Sequence, residues 1–168
     1  MEGQHAFGLR LALVNLVRAA DVEVLKIRAA EDDVGDPLVL RFTEGPAANT
    51  KGEVFFTDIP KSRIHKIGLD GKVSVFAEDT GNANGLMFGP DGRLYACANG
   101  KKQITAYDAN GKVSVIAEGL ESNDLCIGQN GNIYVSDPPN KQVWLIKPGG
   151  AKSVVDKGLA FPNGVRLT

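Results

Sequence analysis

Four oxygen-bearing residues recur along the chain at an almost constant spacing. Glu44, Asn84, Asn123 and Asn163 are separated by steps of 40, 39 and 40 residues. The asparagines stand at the head of short apolar runs, as in Asn84-Gly85-Leu86, Asn123-Asp124-Leu125 and Asn163-Gly164-Val165. Carboxylate and carboxamide oxygens are hard ligands, suited to Ca²⁺, Mg²⁺ or Mn²⁺. They also hydrogen-bond polar substrates. The competing reading is structural, because Asn-Gly and Asn-Asp are ordinary turn dipeptides. Asn110-Gly111 and Asn130-Gly131 read as turns, since each falls between two expected strands. The other set, placed where apolar strands begin, reads as a metal or substrate site.

Five further residues could do chemistry and are read as structural. Asp58 and Asp137 each lie six residues past a turn glycine, Gly52 and Gly131, with Ala98 in the corresponding place between them. Both are expected to cap turns, Asp137 with a subsidiary ion site as its alternative. His65 falls where Thr105 and Trp144 stand in the other repeats, away from the first set. Cys97 and Cys126, 29 residues apart, form no metal-ligand pattern and read as buried free thiols.

The elements that must position these residues follow from the same period. Gly52, Gly92 and Gly131 repeat it, and so do Gly71, Gly111 and Gly150. Each repeat reads as four short strands. The first lie near Gly45–Ala48, Gly85–Phe88 and Asp124–Ile127, and the second near Val54–Thr57, Leu94–Cys97 and Ile133–Ser136. The third are Ile64–Ile67, Ile104–Tyr107 and Val143–Ile146, and the fourth Val73–Phe76, Val113–Ile116 and Ser153–Val155. Turns such as Asp70-Gly71 separate them. Runs such as Val54-Phe55-Phe56 do not alternate, which fits a strand buried on both faces. Four-stranded units of about 40 residues stacked face to face are propeller blades. The fold class expected is therefore all-β, an incomplete β-propeller. Repeats lie near 44–83, 84–122 and 123–162, and the first strand of a fourth starts at 163. In that arrangement Glu44, Asn84, Asn123 and Asn163 converge on the central axis.

Composition narrows the partners. Lysine and arginine number 19 against 20 aspartates and glutamates, so no nucleic-acid surface is expected. No apolar run reaches the ~18 residues of a membrane span. Residues 1–20 read as a signal peptide cleaved before Ala20 or as a short N-terminal helix, so secretion, the periplasm and the cytoplasm all stay open. Residues 21–40 read as a strand at Val22–Ile27 and an acidic loop at Ala29–Pro37.

The segments Phe42-Thr43-Glu44-Gly45-Pro46-Ala47, Ala83-Asn84-Gly85-Leu86, Ser122-Asn123-Asp124-Leu125 and Phe161-Pro162-Asn163-Gly164-Val165, in that order and spacing, resemble the gluconolactonase/regucalcin (senescence-marker-protein) family. The resemblance runs from about residue 40 to the end. It implies a six-bladed propeller with one divalent metal on its axis and hydrolysis of sugar-type lactones. Ca²⁺ is the first candidate metal, with Zn²⁺, Mg²⁺ and Mn²⁺ as alternatives. It places Glu44 and Asn163 as metal ligands, and Asn123 against substrate or metal-bound water. Asn84 joins Asn123 as a substrate-binding candidate. The family's remaining ligand, an aspartate also proposed as general base, falls in a later blade beyond residue 168. The expected partners are thus a lactone and further C-terminal blades, and these residues alone are expected to bind metal weakly and turn over negligibly. Glu121 stands where some animal members carry a sugar-binding arginine. The alternative functions are a calcium-binding propeller without hydrolysis and a ligand-binding propeller of the NHL type. The latter needs no carboxylate followed by asparagines at the axis.

Overall fold

Short apolar runs separated by Asx turns leave each segment only one economical partner, the next segment in sequence. At the hairpin tips a side-chain oxygen folds back on the backbone: Asp70 Oδ1 accepts from the Lys72 amide at 3.1 Å, and Asn130 Oδ1 from the Asn132 amide at 3.1 Å. Such self-contained turns join strands without help from the rest of the fold. In a computed structural model of the chain, residues 40–167 are described. The expected N-terminal helix or signal peptide, the strand at Val22–Ile27 and the acidic loop lie outside them.

Twelve strands form three antiparallel sheets of four. The first blade holds β1 (Thr43–Ala48), β2 (Val54–Asp58), β3 (Arg63–Ile67) and β4 (Val73–Ala77). The second holds β5 (Ala83–Phe88), β6 (Leu94–Ala98), β7 (Gln103–Tyr107) and β8 (Val113–Glu118), and the third β9 (Leu125–Ile127), β10 (Ile133–Asp137), β11 (Gln142–Ile146) and β12 (Lys152–Lys157). Strands pair in sequence order within each blade. The described residues thus form part of an all-β propeller. Phe161–Leu167, where the sequence predicts the first strand of a fourth blade, carry no strand pairing, yet Ser136 of the third blade donates to the Asn163 carbonyl there. The sister strands β1, β5 and β9 each pair with the strand that follows them, and no such follower exists among the described residues.

The core lies between blades rather than within one. Phe55, Ile64, Leu86, Leu94 and Tyr107 fill the first interface, where Phe55 meets Phe76 and Phe88 edge-to-face at 5.0 and 5.2 Å. Such aromatic pairs add about 0.5–1.5 kcal/mol beyond their buried area. Ile104, Ala106, Leu120, Leu125, Val135 and Ile146 fill the second interface. β6, between two sheets, is buried at all five residues, which is why its sequence does not alternate.

The inner strands approach very closely. A Cβ added to Gly45 would lie 2.8 Å from Gly85 Cα, and one on Gly85 would lie 2.7 Å from Asp124 Cα. These contacts are backbone to backbone, so neither neighbour can swing aside. The glycines after Glu44 and Asn84 are therefore spacers between blades, a role distinct from the turn role their dipeptides suggest.

On the outer face of the first blade His65 is fully buried, stacked on Phe56 at 5.3 Å, with neither ring nitrogen hydrogen-bonded among the described residues. Burial lowers its imidazole below the ordinary 6.5, Asp58 opposing and Arg63 and Lys61 adding to the effect. His65 is structural, not part of the axial set.

Gly85→Ala is expected to cost about 1–3 kcal/mol, the range for overpacking, read as a lowered urea midpoint; an unchanged midpoint would contradict the close approach. For His65, the unfolded imidazole takes up a proton below about pH 6.5 that the folded one refuses. Stability should thus fall as pH drops through that value. His65→Phe should flatten that dependence between about pH 5 and 7.5, measured by urea unfolding at each pH.

Candidate functional site

The four axial residues are placed by backbone ties that cross from blade to blade. Thr57, fully buried near the end of β2, lies 3.0 Å from the Glu44 carbonyl and 3.1 Å from the Asn84 carbonyl, sharing its one hydroxyl hydrogen between them. The Gly85 amide donates to the Asn123 carbonyl at 2.9 Å. In the third blade Ser136, also fully buried, accepts from the Asp124 amide at 3.0 Å and donates to the Asn163 carbonyl. Glu44, Asn84, Asn123 and Asn163 are therefore linked in order around the axis. Because the ties run through main-chain groups, they do not consume the four side chains.

Local irregularity aims these residues. The β1–β2 register shifts between Glu44 and Ala47, and the β5–β6 register between Ala83 and Leu86. Such bulges re-aim side chains at the rims of sheets. Asn123 stands just before β9, its amide bonded to the Ser136 carbonyl at 2.9 Å. Glu44 and Asn163 are exposed, while Asn84 and Asn123 are half-buried.

Asp124 is a component that the spacing argument passed over. It occupies the position held by Gly45 and Gly85 in the other blades, so a carboxylate stands where they have no side chain. Burial raises its pKa; the Leu125 and Val165 amides oppose this, and the negative charge of Glu44 reinforces it. The Glu44 charge is thus felt at Asp124, and no basic side chain is among the groups acting on that carboxyl. The replacement of glycine by aspartate in an otherwise regular repeat was the signal available in the sequence.

The remaining candidates lie elsewhere. Asp137 accepts from the Trp144 indole at 2.9 Å, from the Asn140 carboxamide at 2.9 and 3.0 Å, and from the Asn140 amide at 3.2 Å. It caps its turn, and its oxygens are taken by donors, which leaves little for an ion. Asp58 caps as well, though not its own turn: it accepts from the Arg41 amide at 3.1 Å and fixes the approach to β1. Glu121 is paired with Lys102 at 2.8 Å. Cys97 and Cys126 are buried and free. Among the described residues no group of three or more His, Cys, Asp and Glu could hold a metal ion.

Three four-stranded antiparallel sheets, tied inner strand to inner strand in sequence order, define part of a β-propeller. The profile of the SMP-30/Gluconolactonase/LRE-like region matches residues 42–168, and the chain belongs to that family. It is similar to a crystal structure assigned to gluconolactonase by family, at 25% identity and a TM-score of 0.68, over 74% of this chain and 52% of that one. It is also similar to the gluconolactonase XC5397 of Xanthomonas campestris, at 23% identity and a TM-score of 0.66, over 70% and 48% of the two chains. A streptogramin B lyase shares the fold at 18% identity and a TM-score of 0.63, over 73% and 43%. No curated protein sequence matches the chain. The chain spans about half the length of the solved structures it matches.

Ser136→Ala leaves the Asn163 carbonyl without its buried donor and is expected to cost about 1–3 kcal/mol. Thr57→Val should cost a similar amount at the other blade junction. Differential scanning calorimetry checks both, and unaltered melting would mean that the hydroxyls do not join the blades.

Proposed function

We propose that the axial ring is a site for hydrolytic opening of sugar-type lactones, working with one divalent cation, Ca²⁺ first among the candidates. The observation that carries this reading is the chain of inner-strand ties that sets Glu44, Asn84, Asn123 and Asn163 in order from blade to blade, with the Glu44 charge adding to the burial that raises Asp124. A carboxylate under a neighbouring like charge is favoured by a cation beside it. The donor set of one free carboxylate and several carboxamides fits a hard cation. Glu44, Asn123 and Asn163 would hold it. When bound, such a cation polarises an ester carbonyl and stabilises charge developing on its oxygen.

The chain's own residues supply placement. Asn84 and Asn123 each offer a donor and an acceptor, which suits the hydroxyls and ring oxygen of a sugar lactone. Thr57 and Ser136 fix the backbone beneath these side chains, so their positions are set before substrate arrives. Preorganisation of this sort can account for a large part of an enzyme's rate enhancement. Glu44, exposed at the rim, contributes the negative charge on the first-blade side. Family membership supports the reaction class.

The test joins a binding and a rate measurement. Calorimetric titration with Ca²⁺ is expected to show Glu44→Gln weakening binding at least tenfold, roughly the lower end for losing a charged ligand. Hydrolysis of glucono-δ-lactone by the chain extended with the further blades that its relatives carry, followed by pH-stat, should stop with EDTA and return with Ca²⁺. Hydrolysis that ignores both EDTA and Glu44→Gln would overturn the reading. Ca²⁺ binding with no lactone opening would favour a non-catalytic calcium-binding propeller.

A further inference from the structure

We propose that Asp124 is the residue that positions Asn163: its carboxylate straps the Phe161–Leu167 segment to the third blade, so that the asparagine is held at the axis. The inference rests on the lactone-opening reading above and adds to it a positioning residue, one that acts through Asn163 rather than on the cation. Phe161–Leu167 carry no strand pairing. Their ties to the third blade fall instead at alternate residues. The Ser136 hydroxyl donates to the Asn163 carbonyl, the Val165 amide acts on the Asp124 carboxyl, and the Leu167 amide acts on the Cys126 sulfur. Hydrogen bonds to a carboxylate are about twice as strong as neutral ones, and sulfur is a weak acceptor. Asp124 is thus the firmest of the three holds, and it grips the chain two residues past Asn163.

The second junction shows what this arrangement replaces. There the residue after the axial asparagine is Gly85, whose amide donates directly to the Asn123 carbonyl at 2.9 Å. At the third junction the equivalent amide, that of Asp124, donates to the Ser136 hydroxyl at 3.0 Å, and this hydroxyl donates on to the Asn163 carbonyl. A side-chain oxygen is thus interposed where the second junction has a direct bond. In the second blade Cys97 stands at the position of Ser136 and has no hydroxyl to interpose.

The third junction is also the one that carries a side chain at this register. Gly45, Gly85 and Gly164 occupy the same place in the other repeats. The carboxylate uses the space that Gly85 leaves open, since a β-carbon added to Gly85 would collide with Asp124 Oδ1. That oxygen also accepts from the Leu125 amide at 2.8 Å. Asp124 thus meets the inner strand before its own and the inner segment after it. Turned towards main-chain amides, its carboxylate fixes backbone, and Asn163 takes its place from that backbone.

The test compares two variants of the whole chain. Asp124→Asn keeps an oxygen acceptor for the amides and drops the charge, whereas Asp124→Gly installs the residue of the other repeats. In amide hydrogen exchange without metal, the Val165 amide should be protected in the wild type. Its exchange should quicken roughly tenfold or more in Asp124→Gly and change less than about threefold in Asp124→Asn. Calorimetric titration with Ca²⁺ should follow the same order. Asp124→Gly should weaken binding by about tenfold or more, the range for losing a residue that orients a ligand, and Asp124→Asn by less than about threefold. Equal losses of Ca²⁺ affinity in the two variants would assign Asp124 to the cation itself and overturn the proposal. So would an unprotected Val165 amide in the wild type, a result that decides the matter even should Asp124→Gly fail to fold. Exchange involves neither cation nor lactone, so a chain that protects Val165 but binds no Ca²⁺ would sink the lactone-opening reading and leave the strap standing.

Discussion

Everything in this molecule depends on how near the inner strands come to one another. At Gly45 and Gly85 the backbones of successive blades pass with no room for a β-carbon. That proximity lets a single hydroxyl on β2 reach carbonyls in two blades. It also lets a main-chain amide of the second blade bond to the third. Sheets packed only through side chains sit about 10 Å apart. Here the inner ends converge while the outer ends splay, so a stack of flat units becomes a wedge-shaped array. The axial residues are functional candidates because the wedge brings them together, not because they are neighbours in sequence.

Much of this was legible in the sequence. The 40-residue step, the Asx-Gly tips and the four-strand count all reflect local chemistry, which repeats whenever the same short element repeats. The run Val54-Phe55-Phe56 announced a strand buried on both faces, and the structure buries Phe55 and Phe56 on opposite sides. What escaped were features decided by contact between distant segments. Gly85 reads as half of a turn dipeptide until Asp124, 39 residues on, is seen to press against it. Asp58 reads as the cap of its own turn, but its oxygens face the chain approaching β1. Phe161–Leu167 has the sequence of an inner strand, and a strand exists only where a partner ladder does.

The blades are alike in backbone and unlike in what they place at equivalent points. Thr57, Cys97 and Ser136 share one position, as do Asp58, Ala98 and Asp137, and His65, Thr105 and Trp144. The first position keeps a small polar or sulfur-bearing group and thereby the junction between blades. The other two differ in size and charge from blade to blade although they are mostly buried, so each blade meets its neighbours there in its own way.

Cys97 takes the place of the two hydroxyls and is sealed between the second and third blades, where burial pushes its thiol well above the ordinary range. Cys126, buried on the neighbouring inner strand, is pushed up to about 11. Burial holds both sulfurs in the thiol form while the blades are closed, and the thiolate is the reactive form. Each alkylation of Cys97 therefore records one parting of the second blade from the third. The chain carries a built-in clock for its own breathing, running only when the seam between those blades is undone.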